Sequence, residues 1–372
     1  MSLAPLLLRA SASNPLPKLS PEKPSSTKAA KPKKAKSLPT LVAVKPLNLE
    51  AEKKKFFDSG GTYNPQFVYP AAIDSKVLHQ YGEPSSRYLA QALKIIRTSL
   101  SLFGTFTNWE RCSGGHIMTK HEVTTHISKY LKAEGIEDEI QVNITHNILA
   151  RASMTRVKGK PTINVKEGTT HSNWIEGMLN HEIGTHYLRA YNNKKQPWRS
   201  GKRRRQLKLL SSNPTEEGFA SLNTVMFREQ PLLLRSSLMY VVIFLASKMS
   251  FCQVYEKLKQ YIDDPEERWK HLLRAKRGLT DTSKPGCFSK DQIYLTGALQ
   301  ILARRHEINF EHLFRFGKVS HRDLEKLEEI AAQEGTRVPK FLSDKNDYLN
   351  RLNYVIQFNG LTDEDLKEGA KH

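Results

Sequence analysis

From residue 85 onward, apolar positions recur mostly at helical spacing, interrupted by one stretch of strand period. Leu89, Leu93, Ile96, Leu100 and Phe103 share one face of a helix predicted over 85–104. Thr119 followed three residues later by Glu122 is the pattern of a capping box, and Gly135 is the natural stop of that helix. The period then shortens. Ile140, Val142 and Ile144 alternate with polar residues, a second β-like segment covers 150–157, and the turn Lys158-Gly159-Lys160-Pro161 leads to a third at 162–165. Helical spacing returns after Asn173, a predicted cap with Glu176 three residues on, and ends near Asn192-Asn193. Further helices follow over 214–227, 232–249, 251–261 and beyond, with no repeat of solenoid period. The pattern predicts an α+β fold, mostly helical, with a small sheet set among many helices.

Composition divides the chain in two. Residues 1–50 hold eight Lys, one Arg, two Glu and eight Pro, with no aromatic residue, so nothing there can build a core. We therefore expect a disordered, basic, Pro/Lys-rich tail over 1–60 and a single domain over 61–372. Lys and Arg number 58 against 38 Asp and Glu, a net charge of +20 that calls for an acidic partner. Ser236 to Ser247 is the longest charge-free apolar stretch, and a bilayer needs about 20 such residues, so it reads as a core helix and no membrane is implied. Cys112, Cys252 and Cys287 are too few and too scattered for a disulfide framework, and an odd count argues for reduced thiols in the cytosol or nucleus, with a cytosolic protein the default.

The candidate chemistry sits on the helix after the third strand, in His181-Glu182-Ile183-Gly184-Thr185-His186. In zinc peptidases, H-E-x-x-H places two imidazoles four apart on one helix face with the Glu between them at the metal-bound water. Here the spacing is five, which on a regular α-helix turns the second imidazole away by about 140°. Both can reach one metal only if the helix widens to i→i+5 bonding, and Gly184 is the residue type that tolerates such a distortion. The hexapeptide alone is weak evidence, because His121-Glu122-Val123-Thr124-Thr125-His126 matches it too. That copy lies in a first helical turn, where Glu122 serves better as a cap. A third ligand for the 181 copy is offered by Asn213-Pro214-Thr215-Glu216-Glu217-Gly218, where Asn213 is a good cap and both glutamates fall in the first turn of a helix. Complementing the helix dipole is the alternative role for the pair.

The stretches LNHEIGTHYLRAYNNKKQPW, NPTEEGFASL and RAKRGLTDTSKPGCFSKDQIYL closely resemble the microtubule-associated tyrosine carboxypeptidase family, with the likeness running from about Gly61 to the C-terminus. The resemblance implies a zincin-like (gluzincin-type) catalytic domain whose small β-sheet lies against the metal-bearing helix. It implies one zinc ion held by His181, His186 and Glu217, with Glu182 as the catalytic carboxylate. The implied activity is removal of the C-terminal tyrosine of α-tubulin, with trimming of tail glutamates associated with some members; the implied partners are tubulin tails and microtubules, in the cytoplasm and on the cytoskeleton.

An exopeptidase also needs a cation for the terminal carboxylate, for which Arg274, Lys276 and Arg277 are candidates, and an oxyanion donor, for which Tyr294 is one. No acidic residue occurs between Glu182 and Glu216, and Lys202, Arg203, Arg204 and Arg205 lie in that interval, so a basic loop is expected to flank the cleft and steer an acidic tail. The rival reading is a non-catalytic microtubule- or nucleic-acid-binding protein with a structural metal, in which His171 would be the fourth ligand to inspect. An endopeptidase is the third.

Overall fold

A computed structural model of the chain describes residues 45–70, 75–148 and 150–371. Two hydrophobic cores organise them, and the helix bearing His181 separates the two. The larger core is helical. Helix α1 (Leu49–Asp58) docks Phe56 edge-on against Phe251 and Tyr255, at ring-centroid distances of 5.2 and 4.7 Å. Helices α2 (Ser75–Gln80), α3 (Leu89–Phe103) and α4 (Phe106–Gly114) follow. At its centre runs the apolar helix α9 (Leu234–Ala246), packed against α3 and against α11 (Pro265–Ala275). The charge-free stretch is a core helix, as expected, and among the described residues no helix is long and apolar enough to cross a membrane. The three cysteines are unpaired.

The smaller core lies beneath a sheet. Helix α5 (Lys120–Glu134) is framed as its sequence predicts, by a Thr119–Glu122 capping box and by Gly135 in the left-handed conformation. Strands β1 (Gln141–Thr145), β2 (Ala152–Val157) and β3 (Lys160–Lys166) form a sheet of order β1-β3-β2. β3 pairs parallel with β1 and antiparallel with β2, in register Met154↔Ile163, so among the described residues β2 has no strand on its other edge. Ile163 and Val165 of β3 pack with Val123, Ile127 and Leu131 of α5.

Helix α6 starts as α over Ile175–Leu179, widens to a π-helix over Asn180–Tyr187 and returns to α over Leu188–Asn193. Ile175, Leu179 and Ile183 point into the smaller core. The opposite face meets α8 (Asn213–Val225), whose Phe219, Leu222 and Val225 belong to the larger one. After α6 come the exposed basic helix α7 (Gly201–Gln206), then α8, α9 and α10 (Phe251–Leu258). Beyond α11, a 3-10 turn at Ser289–Gln292 leads into α12 (Ile293–Ala303), then α13 (Phe310–Arg315), a run of short turns, α14 (Lys345–Phe358) and α15 (Asp363–Lys371).

Three expectations are corrected. The tail does not reach residue 60: α1 is ordered because Phe56 is fully buried and Glu52 accepts from Tyr63 Oη and the Gln66 N–H at 2.7 and 2.8 Å. Three consecutive lysines hid that amphipathic helix in a basic run. Residues 1–44 of the expected tail lie outside the described residues. Asn173 is not the cap of α6; Trp174 occupies that position without a side-chain bond, and Asn173 Oδ1 accepts from Ser172 Oγ at 3.4 Å. Likewise Ser212, not Asn213, precedes α8, and it too caps without its side chain.

Candidate active site

The π-segment settles the spacing problem. With i→i+5 bonding, residues five apart stack on one helix face, and the His181 and His186 rings lie 4.8 Å apart, nearly perpendicular. One ligand atom from each, together with a Glu217 oxygen, falls within 4.8 Å of the others, the one metal-capable cluster of three or more such groups among the described residues. Gly184 has a role other than the one its sequence suggests. A Cβ there would meet Phe341 Cε1 at 2.6 Å and Tyr130 Oη at 2.8 Å, so its smallness admits those rings against the bulge.

The π-segment is tied in place by a buried polar chain. Thr185 Oγ1 donates to the Asn180 carbonyl at 2.7 Å and accepts from Asn223 Nδ2 at 2.9 Å. Tyr130 Oη donates to Asn180 Oδ1 at 3.0 Å, and Tyr348 Oη to Asn223 Oδ1 at 2.6 Å. Widening a helix frees backbone and side-chain bonding capacity, and this chain absorbs it from three neighbouring helices.

Two glycine contacts fix how closely the helices carrying the metal-capable cluster approach their neighbours. A Cβ on Gly177 would lie 2.0 Å from the Thr224 carbonyl oxygen, so α6 and α8 touch backbone to backbone one turn before His181. A Cβ on Gly218 would meet the Gly297 backbone at 2.1 Å, pressing the residue after Glu217 against α12.

Each imidazole is oriented through its other nitrogen. His181 Nδ1 donates to Thr224 Oγ1 at 2.9 Å, because that hydroxyl spends its own proton on the Ala220 carbonyl at 2.7 Å. His186 Nδ1 lies 2.8 Å from Glu216 Oε1. Both Nε2 atoms are thereby left for a ligand, and His186 Nε2 is 3.6 Å from Glu217 Oε2. Glu216 is itself buried against Arg189 Nη1 at 2.6 Å and Lys318 Nζ at 3.1 Å. Arg189, fully buried, also donates to the carbonyls of Leu313, Gly317 and Val319.

The electrostatics ask for a cation. Burial opposes a charge on either histidine and, with the neighbouring His186, pushes His181 down to about 3. At His186 the same burial is overcome by the Glu216 and Glu217 carboxylates, which push it up to about 10. Glu217 stays below the usual carboxylate range despite burial, because His186 faces it. The positive charge those two carboxylates hold on His186 is the charge a divalent ion would bring, so the donor set fits one. Glu182 accepts the Met154 N–H of β2 at 3.0 Å, and burial raises its carboxyl. It therefore sits between the metal-capable cluster and the free edge of the sheet.

The other sequence candidates are placed differently. Lys276 is corrected: it is fully buried, with Nζ on the carbonyls of Ala246, Lys284 and Gly286 at 3.2, 2.9 and 3.1 Å, and reaches no cleft. Arg274 and Arg277 both bind Asp291 Oδ2, the former at 2.8 Å. Tyr294, half-buried in the first turn of α12, has its phenol pushed up by burial and by the Glu217 charge. Lys202, Arg203 and Arg205 are exposed on α7. Arg204 donates to the Lys318 carbonyl at 2.9 Å, which joins that helix to the residue whose ammonium meets Glu216. His171 packs against Trp174 with ring centroids 4.3 Å apart and planes tilted by 42°, and lies outside the cluster. Sequence reasoning missed Glu216, Arg189, Thr224 and Lys318 as supports. Only Thr224 left a readable signal, seven residues after Glu217 and thus on the same helix face.

Two imidazoles and a carboxylate, with a second carboxylate beside them and an open strand edge alongside, define the class: a candidate metal-dependent peptide-hydrolase centre. A profile of the microtubule-associated tyrosine carboxypeptidase family matches residues 75–363, and the chain belongs to that family. A mouse protein named putative tyrosine carboxypeptidase MATCAP2 is 44% identical over 353 residues, covering 95% of this chain and 68% of its own. Microtubule-associated tyrosine carboxypeptidase 1 of mouse is 45% identical over 332 residues (89% of this chain, 71% of that protein), and its human counterpart 42% over 332 (89% and 70%).

Proposed function

We propose that this chain is a zinc-dependent carboxypeptidase with a zincin-like catalytic domain, which removes the C-terminal tyrosine of α-tubulin on microtubules. The observation that carries the reading is the convergence of His181, His186 and Glu217 on one point, with Glu182 next to it on the same helix. The names of the relatives, tyrosine carboxypeptidases associated with microtubules, support the substrate. His181, His186 and Glu217 would hold the zinc ion. When bound, it supplies Lewis acidity toward the scissile carbonyl and an acidified water.

The chain's own residues do the rest. An extended peptide lies along the free edge of β2, in the manner of an added strand. Glu182, steadied by the Met154 N–H, accepts a proton from the attacking water and hands it to the leaving amine. Tyr294, kept protonated by burial and by Glu217, donates to the developing oxyanion. The exposed arginines of α7 raise the local concentration of a glutamate-rich tail, an attraction that salt weakens. Mass spectrometry of tubulin tails after incubation tests the reading. Wild type removes the mass of one tyrosine, whereas Glu182→Gln retains zinc and releases tyrosine about 10²- to 10⁴-fold more slowly; release at the wild-type rate by that variant ends the proposal.

A further inference from the structure

Three arginines gather round one tryptophan beside the metal-capable helix. The guanidinium carbons of Arg151, Arg228 and Arg235 lie 5.3, 5.4 and 5.3 Å from the Trp174 ring. Trp109 stacks on the same indole at 5.6 Å. Glu110 answers Arg235 at 2.5 Å and Arg151 at 3.2 Å through a single oxygen, and Arg235 reaches Glu267 at 3.6 Å. Arg228 has no such partner. Among the described residues its guanidinium makes no hydrogen bond or ion pair, and its Nε is buried without an acceptor. Burial, with Arg235 and Arg151 close by, pushes it down to about 9. Only Nε is closed off, so the half-buried guanidinium keeps its terminal nitrogens free to meet an arriving anion.

Its position relative to the chemistry is fixed by the fold. Trp174 and Gly177 precede His181 by seven and four residues, and so lie on its face of α6 within about two turns. A Cβ on Gly177 would stand 3.3 Å from Arg228 Nη2, placing that nitrogen about one turn from the ligand histidine. The strand gives the same answer. β2 runs from Ala152 to Val157, with Glu182 bonded at Met154 and the Arg151 carbonyl pinned to the Lys166 N–H. A peptide added antiparallel to its free edge runs its C-terminal end toward Arg151. The end of the substrate thus runs toward the arginine cluster that holds the unpaired cation.

We propose that Arg228, flanked by Arg151 and Arg235 around Trp174, anchors the terminal α-carboxylate of the substrate chain. This rests on the carboxypeptidase reading and replaces Arg274 and Arg277, which are both spent on Asp291. A guanidinium fork suits two carboxylate oxygens, and the anchor limits cleavage to the last residue.

The test measures binding of a tyrosine-terminated peptide, as free acid and as C-terminal amide, to the zinc-loaded full chain carrying Glu182→Gln. Amidation should weaken binding about 10- to 100-fold. Adding Arg228→Gln should weaken the free acid by a similar factor and leave amide binding unchanged, which also shows that the variant is folded. Arg228→Lys, with charge but no fork, should fall between. Equal weakening of acid and amide by Arg228→Gln, or continued preference for the acid, overturns the anchor; so does a preference that vanishes with Arg274→Gln instead. Tyrosine release by the otherwise unaltered wild type is scored separately. If that release is absent the carboxypeptidase reading fails, and if it is present with the acid preference intact in Arg228→Gln, only the anchor does.

Discussion

The chain carries the hexapeptide H-E-x-x-x-H twice, and the two copies diverge at the backbone. His121–His126 lies in the first turns of a regular α-helix, where five residues turn the imidazoles apart. Glu122 there is consumed as the partner of Thr119 and of His116, at 2.7 and 3.2 Å, and His126 turns to Glu176 at 3.1 Å. His181–His186 occupies a π-segment in which the same spacing brings both rings to one face. The second copy also has what the first lacks among the described residues: hydrogen-bond partners for both Nδ1 atoms, a carboxylate that converges with both imidazoles on one point, and burial between two cores. Identical letters acquire different chemistry because the backbone bonding period differs.

The comparison breaks first at the metal. His181→Ala and His186→Ala should abolish stoichiometric zinc, read by elemental analysis, while His121→Ala and His126→Ala keep it; zinc lost from the 121 pair would equalise the two sites. Metal uptake must also displace the proton that the Glu216 and Glu217 carboxylates hold on His186, so affinity should rise with pH, about tenfold per unit for one proton released. A flat pH dependence would mean that metal uptake displaces no proton from His186.

Next in size is turnover. Glu182→Gln should cost about 10²- to 10⁴-fold in tyrosine release, read on a peptide substrate, whereas Glu122→Ala leaves it unchanged. Glu216→Gln should reduce zinc affinity about 10- to 100-fold by removing the charge that orients His186. Competition against a chelator measures it, and wild-type affinity would show that the orientation comes from elsewhere. Gly184→Ala should destabilise the domain by about 1–3 kcal/mol through Phe341 and Tyr130, seen as a lowered Tm. Thr119→Ala, at the cap of the first copy, should cost about 1 kcal/mol with zinc and turnover intact.

Helix α5 was legible to the residue because both its stops are local: a capping box at one end and a left-handed glycine at the other. The order and turn of β2 and β3 were legible for the same reason, with Lys158 and Gly159 at positive φ between them. The pairing of His181 with His186 on one face followed from spacing once a widened helix was allowed. Helix α1 was not legible, since its three lysines outweighed Phe56 in composition and only the distant rings of Phe251 and Tyr255 give that residue a place to go. Lys276 was misplaced because a lysine that caps three carbonyls and one that meets solvent look alike in a sequence. Arg228 was passed over for the same reason in reverse.

By itself the sequence determined the period of each element, the identity of the metal-capable donors and the surplus of positive charge around them, because these depend on neighbours within a few positions along the chain. Tertiary structure alone decided that one hexapeptide bulges while its twin does not, that Glu216 orients while Glu217 faces the shared point, and that three arginines from separate segments meet over one indole. Those outcomes turn on which groups far apart in sequence compete for the same buried space and the same hydrogen bonds, and no local pattern encodes that competition.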